Sequence, residues 1–394
     1  MELDKIKDDL LYVGANDPKR RIFDQLIPLP DGTSYNSYLI KGSEKTALID
    51  SVDPSKKEVL LENLKKSGVK TIDYIIAHHG EQDHSGAIPD VLNIWSGARV
   101  VTNEKCKTEL MDLLLINDDR FIVIDNGQEI SLGNKTLRFI FTPWVHWPET
   151  MVTYLGEDRI LFTCDFLGSH YALDTLFLED LERIYEPAKR YYAEIMMPFR
   201  NNIRKNLEKI KDLNIDIIAP SHGPLHKNKD YIINCYNDWA SENVKNEVVI
   251  PYISMHGSVD KITEYFIKAI EGRGVNVKPF NLADADIGEL AMALVGAATA
   301  VIGSPTVLTG PHPKAFFAAY LVKILRPKLK FLSIIGSFGW GGRMVEILAE
   351  MLGSLGAEVI EPVMVKGYPK VNDYRLLDEL AEKISQKHRS LGLI

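Results

Sequence analysis

The sequence predicts an α/β chain of two domains, an amino-terminal sandwich of strands and helices followed by a doubly wound parallel sheet of five strands. Three observations predict it. Short apolar runs separated by turn residues dominate up to about residue 165, before the first long helical region. From Val248 onward strands and helices alternate strictly, the pattern of a parallel sheet with crossover helices. At 394 residues the chain exceeds the usual size of one domain, and it shows no internal repeat or low-complexity segment.

In the first half, residues 10–15, 34–42 and 45–51 alternate or run apolar between turns such as Pro30-Asp31-Gly32. The run 72–79, IDYIIAHH, is continuously apolar until its histidines, as suits a strand buried on both faces. Residues 88–95 read as a helix, 99–102 as a strand and 104–115 as an amphipathic helix. Strands follow at 121–125, 137–143, 151–155 and 159–165, then a helical region over 178–213 broken around Met197-Pro198-Phe199. Residues 216–224, DIIAPSHGP, form another apolar strand ending in a histidine, and 230–246 a polar helix. The pattern changes near Glu247, which sets the expected domains at 1–247 and 248–394. Beyond it, strands are expected at 248–253, 275–280, 299–303, 329–335 and 357–363. Helices are expected near 259–271, 284–294, 313–325, 342–355 and 371–387.

Composition narrows the function. The chain is 45% hydrophobic and 25% charged with a formal net charge of -8, which disfavours a mainly electrostatic nucleic-acid or membrane partner. The amino terminus lacks a basic start followed by an apolar segment, so no signal peptide is expected. No apolar run approaches the roughly 18 residues of a membrane span. Cys106, Cys164 and Cys235 lie far apart with no CxxC pair, which suits reduced thiols and a cytoplasmic location. It also leaves no fused rubredoxin-type iron site.

The densest chemistry lies in 77–86, AHHGEQDHSG, on a loop after the 72–78 strand. His79, Glu81, Asp83 and His84 stand there. His146 in TPWVHWPET, Asp165 in FTCD and His222 in PSHG each follow another apolar strand, so all seven can converge on one edge of the sandwich. Zinc hydrolase sites favour imidazole and thiolate. Three carboxylates beside the histidines make a harder, oxygen-rich set that suits iron or manganese. A carboxylate such as Asp165 is suited to give one oxygen to each of two metals.

The series HxExDH followed by His146, Asp165 and His222 resembles the metallo-β-lactamase-like αββα domain of the flavodiiron proteins, or A-type flavoproteins. Hydrolases of that fold carry HxHxDH, and Glu81 replaces their second histidine. The resemblance implies one iron on His79, Glu81 and His146, another on Asp83, His84 and His222, and Asp165 between them. Some members turn the histidine matching His84 away and use water. His78 falls outside the pattern and is expected on the opposite side of its strand, as a structural residue. Tyr192 and His170 resemble residues lining the family's diiron pocket, and Cys164 reads as a small buried residue.

In the second half, the loop 254–261, SMHGSVDK, leads into a helix, where backbone N–H groups and the helix terminus suit a phosphate. Alone, such a loop is a common cap and turn. The loops 303–310, GSPTVLTG, and 336–342, GSFGWGG, follow later strands and reach the same sheet end. Together they resemble the FMN loops of flavodoxins, and more closely those of flavodiiron proteins. Ser254, Met255, His256, Gly257, Ser258 and Val259 map onto the phosphate loop, with Val259 where threonine is frequent. Pro305, Thr306 and Val307, with Ser337, Phe338, Gly339, Trp340 and Gly341, map onto the loops around the flavin ring. Leu308 stands where many members have asparagine. Trp340 alternatively suits a protein interface.

The resemblance implies FMN, two iron ions, and reduction of dioxygen to water or of nitric oxide to nitrous oxide. It also implies a separate rubredoxin or a reduced deazaflavin as donor, and a head-to-tail homodimer or a homotetramer of such dimers. Two other classes remain at this point: a zinc-dependent hydrolase with a flavodoxin-like accessory domain, and a flavin-binding electron carrier whose first domain has lost catalysis.

Overall fold

The computed structural model describes residues 3–172 and 175–394. The chain divides into two compact units, residues up to 192 with 199–240, and residues 241–394 with 193–198.

The first unit is built on two main sheets. One holds seven strands in the order Lys5–Lys7, Leu10–Tyr12, Tyr38–Lys41, Thr46–Ile49, Tyr74–Ile76, Arg99–Thr102 and Phe121–Val123. It is antiparallel at its beginning and parallel from Thr46–Ile49 onward. Its apolar runs are explained by burial on both faces, because successive side chains point to opposite sides. Leu39, Leu48, Ile75 and Val100 enter one core with Leu60 and Leu64 of the helix Lys57–Lys66 and Leu110 of the helix Glu104–Leu114. Their neighbours Ile40, Ile49, Ile76 and Val101 enter the other, with Leu137, Phe139, Met151 and Phe162 of the second sheet. That second sheet runs Glu129–Ser131, Thr136–Phe141, Met151–Leu155, Ile160–Cys164 and Ile217–Pro220. The helix Arg200–Ile210 lies against it, with Asn206 and Lys209 donating to the carbonyls of Pro143 and Phe141. This is the expected αββα sandwich.

The second unit carries parallel strands in the order Asn276–Asn281, Lys245–Tyr252, Ala297–Val307, Phe331–Phe338 and then Glu358–Val359 with Val363–Lys366. Numbered along the chain this is 2-1-3-4-5, the flavodoxin-like order. The first strand begins at Lys245 rather than at 248, because Glu247 pairs with Asn276 through the backbone although its side chain is polar. The third continues to Val307 and turns back at Gly310–Pro311, with Leu308 and Thr309 both at positive φ. The fifth is split at Pro362, which has no N–H for the ladder. Among the described residues no helix is long and apolar enough to cross a membrane.

Candidate metal centre and ligand loops

Each predicted metal residue sits just beyond the end of a buried strand. The loop after Tyr74–Ile76 delivers His79 and Glu81, and a short helical turn, Gln82–Ser85, delivers Asp83 and His84. Asp165 follows Ile160–Cys164, and His222 follows Ile217–Pro220. His146 lies in the loop between Thr136–Phe141 and Met151–Leu155.

All seven meet. His79, Glu81, His146 and Asp165 form one group of donor atoms that a metal ion can span, and Asp83, His84 and His222 form another. In the first, Glu81 Oε2 lies 3.1 Å from the Nε2 atoms of both His79 and His146. In the second, Asp83 Oδ2 lies 2.9 Å from His222 Nε2, and Asp83 Oδ1 3.3 Å from His84 Nε2. Asp165 faces both. Its Oδ2 is 3.6 Å from His79 Nε2 and 3.5 Å from His146 Nε2, while its Oδ1 is 2.9 Å from His84 Nε2 and 3.4 Å from His222 Nε2. His84 therefore turns inward.

Two of the histidines present Nε2 because other groups hold Nδ1. His79 Nδ1–H donates to Glu149 Oε1 at 2.6 Å, and His222 Nδ1–H to the Ser34 carbonyl at 2.6 Å. Such partners fix the tautomer and ring orientation of metal-binding imidazoles. The donor set fits two metals in a further respect. Both Asp83 oxygens, His84 Nε2 and Asp165 Oδ2 are buried yet lie in no hydrogen bond of acceptable geometry, an arrangement that is costly for polar atoms unless an ion takes it up.

Charge is balanced within the cluster. Burial opposes ionisation of Asp165, but the positive charges of the imidazoles facing it, His84 first, hold its carboxyl well below the usual range. Burial likewise opposes charging of His84, and Asp165 and Asp83 outweigh it, raising the imidazole to about 9. A cavity of about 520 Å³ opens onto the site, lined by Glu81, Asp83, Phe23, Asp24 and Trp147 among others.

The residues around the ligands differ in part from expectation. The hydroxyl that reaches the bridge belongs to Tyr191, which donates to Asp165 Oδ1 at 2.7 Å. Tyr192 instead packs its ring on Tyr236 and Trp239, each at a 5.4 Å centroid distance. Neighbouring helical residues point roughly 100° apart, so a Tyr-Tyr pair offers one ring to each of two surroundings, and nothing in the sequence says which. His170 packs edge-on against Tyr191 and tilted against His222, both at 4.9 Å, with Nδ1 on Thr33 at 2.8 Å; burial and the charge of His222 keep it well below the ordinary imidazole range. Two further residues escaped the sequence reading. Glu149 stands three residues after His146, a carboxylate near a ligand histidine that could have signalled its role. Asp24 lines the cavity, and burial with the charges of Glu81 and Asp83 raises its carboxyl. His78 is structural, between Asp50 at 2.8 Å and Thr153 at 2.6 Å, and Cys164 is buried with its thiol pushed well up by burial.

In the second unit the three predicted loops gather at the carboxyl end of the sheet. Ser254 Oγ accepts from the N–H groups of Gly257 and Asp260, and Gly257, at φ 83°, caps the helix Ser258–Glu271. Ser258 and Ser337 hydroxyls lie 3.1 Å apart, joining the first loop to the third. The second and third loops interlock at Gly342, where a Cβ would stand 2.5 Å from Thr306 Cγ2 and 2.8 Å from the Thr309 carbonyl oxygen. By contrast nothing stands within 4 Å of a Cβ built on Gly257, Gly339 or Gly341, so backbone there is open to a ligand. Met255, Leu308 and Trp340 are 50%, 91% and 78% exposed, apolar surface of the kind a flat ring covers. His256 shares the first loop, Val259 is buried in the helix, and Pro305 and Val307 lie at the end of the third strand.

Residues 33–223 match the ODP family beta lactamase and residues 250–377 the flavodoxin family. A flavo-diiron protein from Clostridium acetobutylicum is 31% identical over 91% of this chain and 92% of its own length. The chain belongs to the flavodiiron proteins. A nitric oxide reductase from Moorella thermoacetica is 34% identical over 97% of this chain and 98% of its own length. The rubredoxin oxygen:oxidoreductase of Desulfovibrio gigas superposes with a TM-score of 0.94 at 29% identity, covering 99% of both chains. The relatives named for an activity are oxidoreductases, which favours that class over the zinc hydrolase.

Proposed function

We propose that this flavodiiron protein reduces dioxygen to water, nitric oxide to nitrous oxide, or both, with FMN and a non-haem iron pair as cofactors. The observation that carries the proposal is Asp165, whose two oxygens face separate groups of two imidazoles and one carboxylate. His79, Glu81 and His146 would hold one iron and Asp83, His84 and His222 the other, with Asp165 offering an oxygen to each group. When bound, FMN and the iron pair would supply the redox chemistry, a carrier of paired and single electrons beside a site for the gas.

The chain's own residues orient and shield. Glu149 and the Ser34 carbonyl aim His79 and His222, Tyr191 holds the bridge, and the cavity beside Glu81 admits a small gas. Ser254 to Val259 would take the phosphate of FMN; Pro305, Thr306, Val307 and Ser337 to Gly341 would take its ring. His170 lines the pocket beside His222. The diiron domain is taken as residues 1–247 and the FMN domain as 248–394. The working assembly is a head-to-tail homodimer, or a homotetramer of such dimers, in the cytoplasm, with rubredoxin or a reduced deazaflavin as donor.

The test is stopped-flow oxidation of the anaerobically reduced, iron- and FMN-loaded protein by each gas, beside a donor panel and metal analysis. Rapid oxidation with about two irons per chain is expected. Zinc without iron, together with hydrolytic turnover, would overturn the proposal.

A further inference from the structure

The helix Pro313–Leu325 of the second unit is built the wrong way round for a surface helix. It buries Ala315, Ala318, Ala319, Leu321, Val322 and Leu325 against its own unit, the small residues among them, and turns its largest side chains outward. Phe316, Phe317, Tyr320 and Ile324 are 41%, 41%, 47% and 38% exposed. The helix holds no acidic residue, and Lys314 and Lys323 are its only charges. A surface helix ordinarily carries polar side chains on its outer side, and one that is apolar all round is covered all round. The rest of the described chain leaves this side open, and exposed aromatic residues of this kind form the centres of protein interfaces.

We propose that this face pairs with the same face of a second copy of the chain, the two helices running antiparallel about a two-fold axis at Tyr320. The spacing of the exposed residues is what names the occupant. Phe316 and Ile324 stand one turn to either side of Tyr320, and Phe317 and Lys323 stand symmetrically within them. A two-fold axis there sets Tyr320 against Tyr320, Phe316 against Ile324, and Phe317 against Lys323, whose apolar stem packs on the ring while its ammonium reaches the ring face. No like charges meet at the centre, and at the helix start Lys314 is engaged by the Ala283 carbonyl at 2.6 Å. A lipid surface fits less well. A helix lying in a membrane has a polar side rich in lysine and arginine, whereas this helix turns its other side into a protein core, and the net charge of -8 opposes an anionic bilayer. Phe and Tyr cover about 150–250 Å² each when fully buried, so these four partly open side chains offer roughly 300 Å² per copy. A stable pair covers about 800 Å² on each side. The stripe is therefore the centre of the contact, with its rim drawn from the flanking helices Ile287–Leu294 and Met344–Leu352, and pairing should be reversible on dilution. The contact is separate from the head-to-tail one, joins such dimers into a homotetramer, and needs neither iron nor flavin.

The test is sedimentation velocity of the full, FMN- and iron-loaded chain over a dilution series, with Tyr320→Glu beside it. The native chain should pass from tetramer to dimer on dilution and the variant should remain a dimer. Loss of a central aromatic from both copies at once should weaken pairing roughly a thousandfold, with FMN, iron and circular dichroism unchanged. Mild oxidation should link Tyr320→Cys to itself, since only a residue at the axis brings its own Cβ within the roughly 3.5–4.5 Å a disulfide spans. Phe316→Cys alone should not link, and should do so when combined with Ile324→Cys. Equal masses of native chain and Tyr320→Glu at every concentration, or Phe316→Cys linking as readily as Tyr320→Cys, overturns the pairing. A native chain that stays unpaired and binds anionic lipid vesicles through this face overturns it as well. A native chain that passes only between dimer and monomer, with the Tyr320→Cys link formed, upholds the pairing and removes the head-to-tail contact.

Discussion

Tyr191→Phe removes one oxygen from the metal centre and leaves its ring in place. The lost hydroxyl lies 2.7 Å from Asp165 Oδ1 and is fully buried, so water does not replace it. Burial and the Asp165 charge push the phenol well above its usual range, which keeps it a donor. A hydrogen bond to a charged group contributes roughly 1.5–3 kcal/mol. At about 1.4 kcal/mol per factor of ten, iron should bind roughly 10- to 100-fold more weakly. The assay is competition between the anaerobic ferrous protein and a coloured chelator, with Tyr192→Phe alongside. Tyr192→Phe leaves the Asp165 hydrogen bond intact and should bind iron as the native chain does. Native affinity in the Tyr191 variant, or a loss confined to the Tyr192 variant, would refute the assignment of the hydroxyl.

Asp165→Ala should lose both irons and gas reduction while keeping FMN, read by metal analysis and flavin absorbance; surviving turnover would remove Asp165 from the bridge. Glu81→His restores the HxHxDH pattern of the hydrolases and should shift metal content from iron toward zinc in a competition loading, because a hard oxygen donor is exchanged for imidazole. Gly342→Ala drives a methyl against Thr306 and the Thr309 carbonyl, and should cost roughly 1–3 kcal/mol with loss of FMN but not of iron. Acid stability is set partly by His226, buried against the Leu167 carbonyl and lowered by burial from 6.5 to about 4. Its unfolded form takes a proton first, so stability should be lost as pH falls from about 6.5 toward about 4, by roughly 3 kcal/mol at most. His226→Gln should flatten that part of the denaturation profile.

What the sequence discloses follows from how many neighbours a feature needs. The strand Tyr74–Ile76 was legible because a double-sided apolar run has one structural meaning, and the metal residues because seven ligand-type side chains end such runs. The split of the fifth strand at Pro362 was also open to inference, since proline lacks the N–H. Tyr191 was not, because choosing between adjacent tyrosines needs the rotation of a helix whose next turn, Tyr192–Met196, is a wider π turn. Asp24 was hidden for another reason. An acidic residue on a polar helix face or a surface hairpin reads as solvent-facing, and only tertiary packing brings it beside other carboxylates.

Glu81 acquires a fuller meaning from the geometry. With a histidine at that position, one metal would face three imidazoles and an oxygen of Asp165, while its neighbour faced two imidazoles, Asp83 and the other oxygen. With Glu81, each half offers two imidazoles, one carboxylate of its own and one oxygen of the bridge. Matched halves suit two like metals that change charge together, whereas unequal halves suit a division of labour between two ions of fixed charge. The three carboxylates of the cluster, two of them buried, would nearly offset two ferrous ions and fall further short of two ferric ones. Oxidation therefore leaves a buried excess of positive charge, which the surroundings must answer. Glu149, a buried carboxylate accepting from His79 Nδ1–H, is placed where that answer is needed.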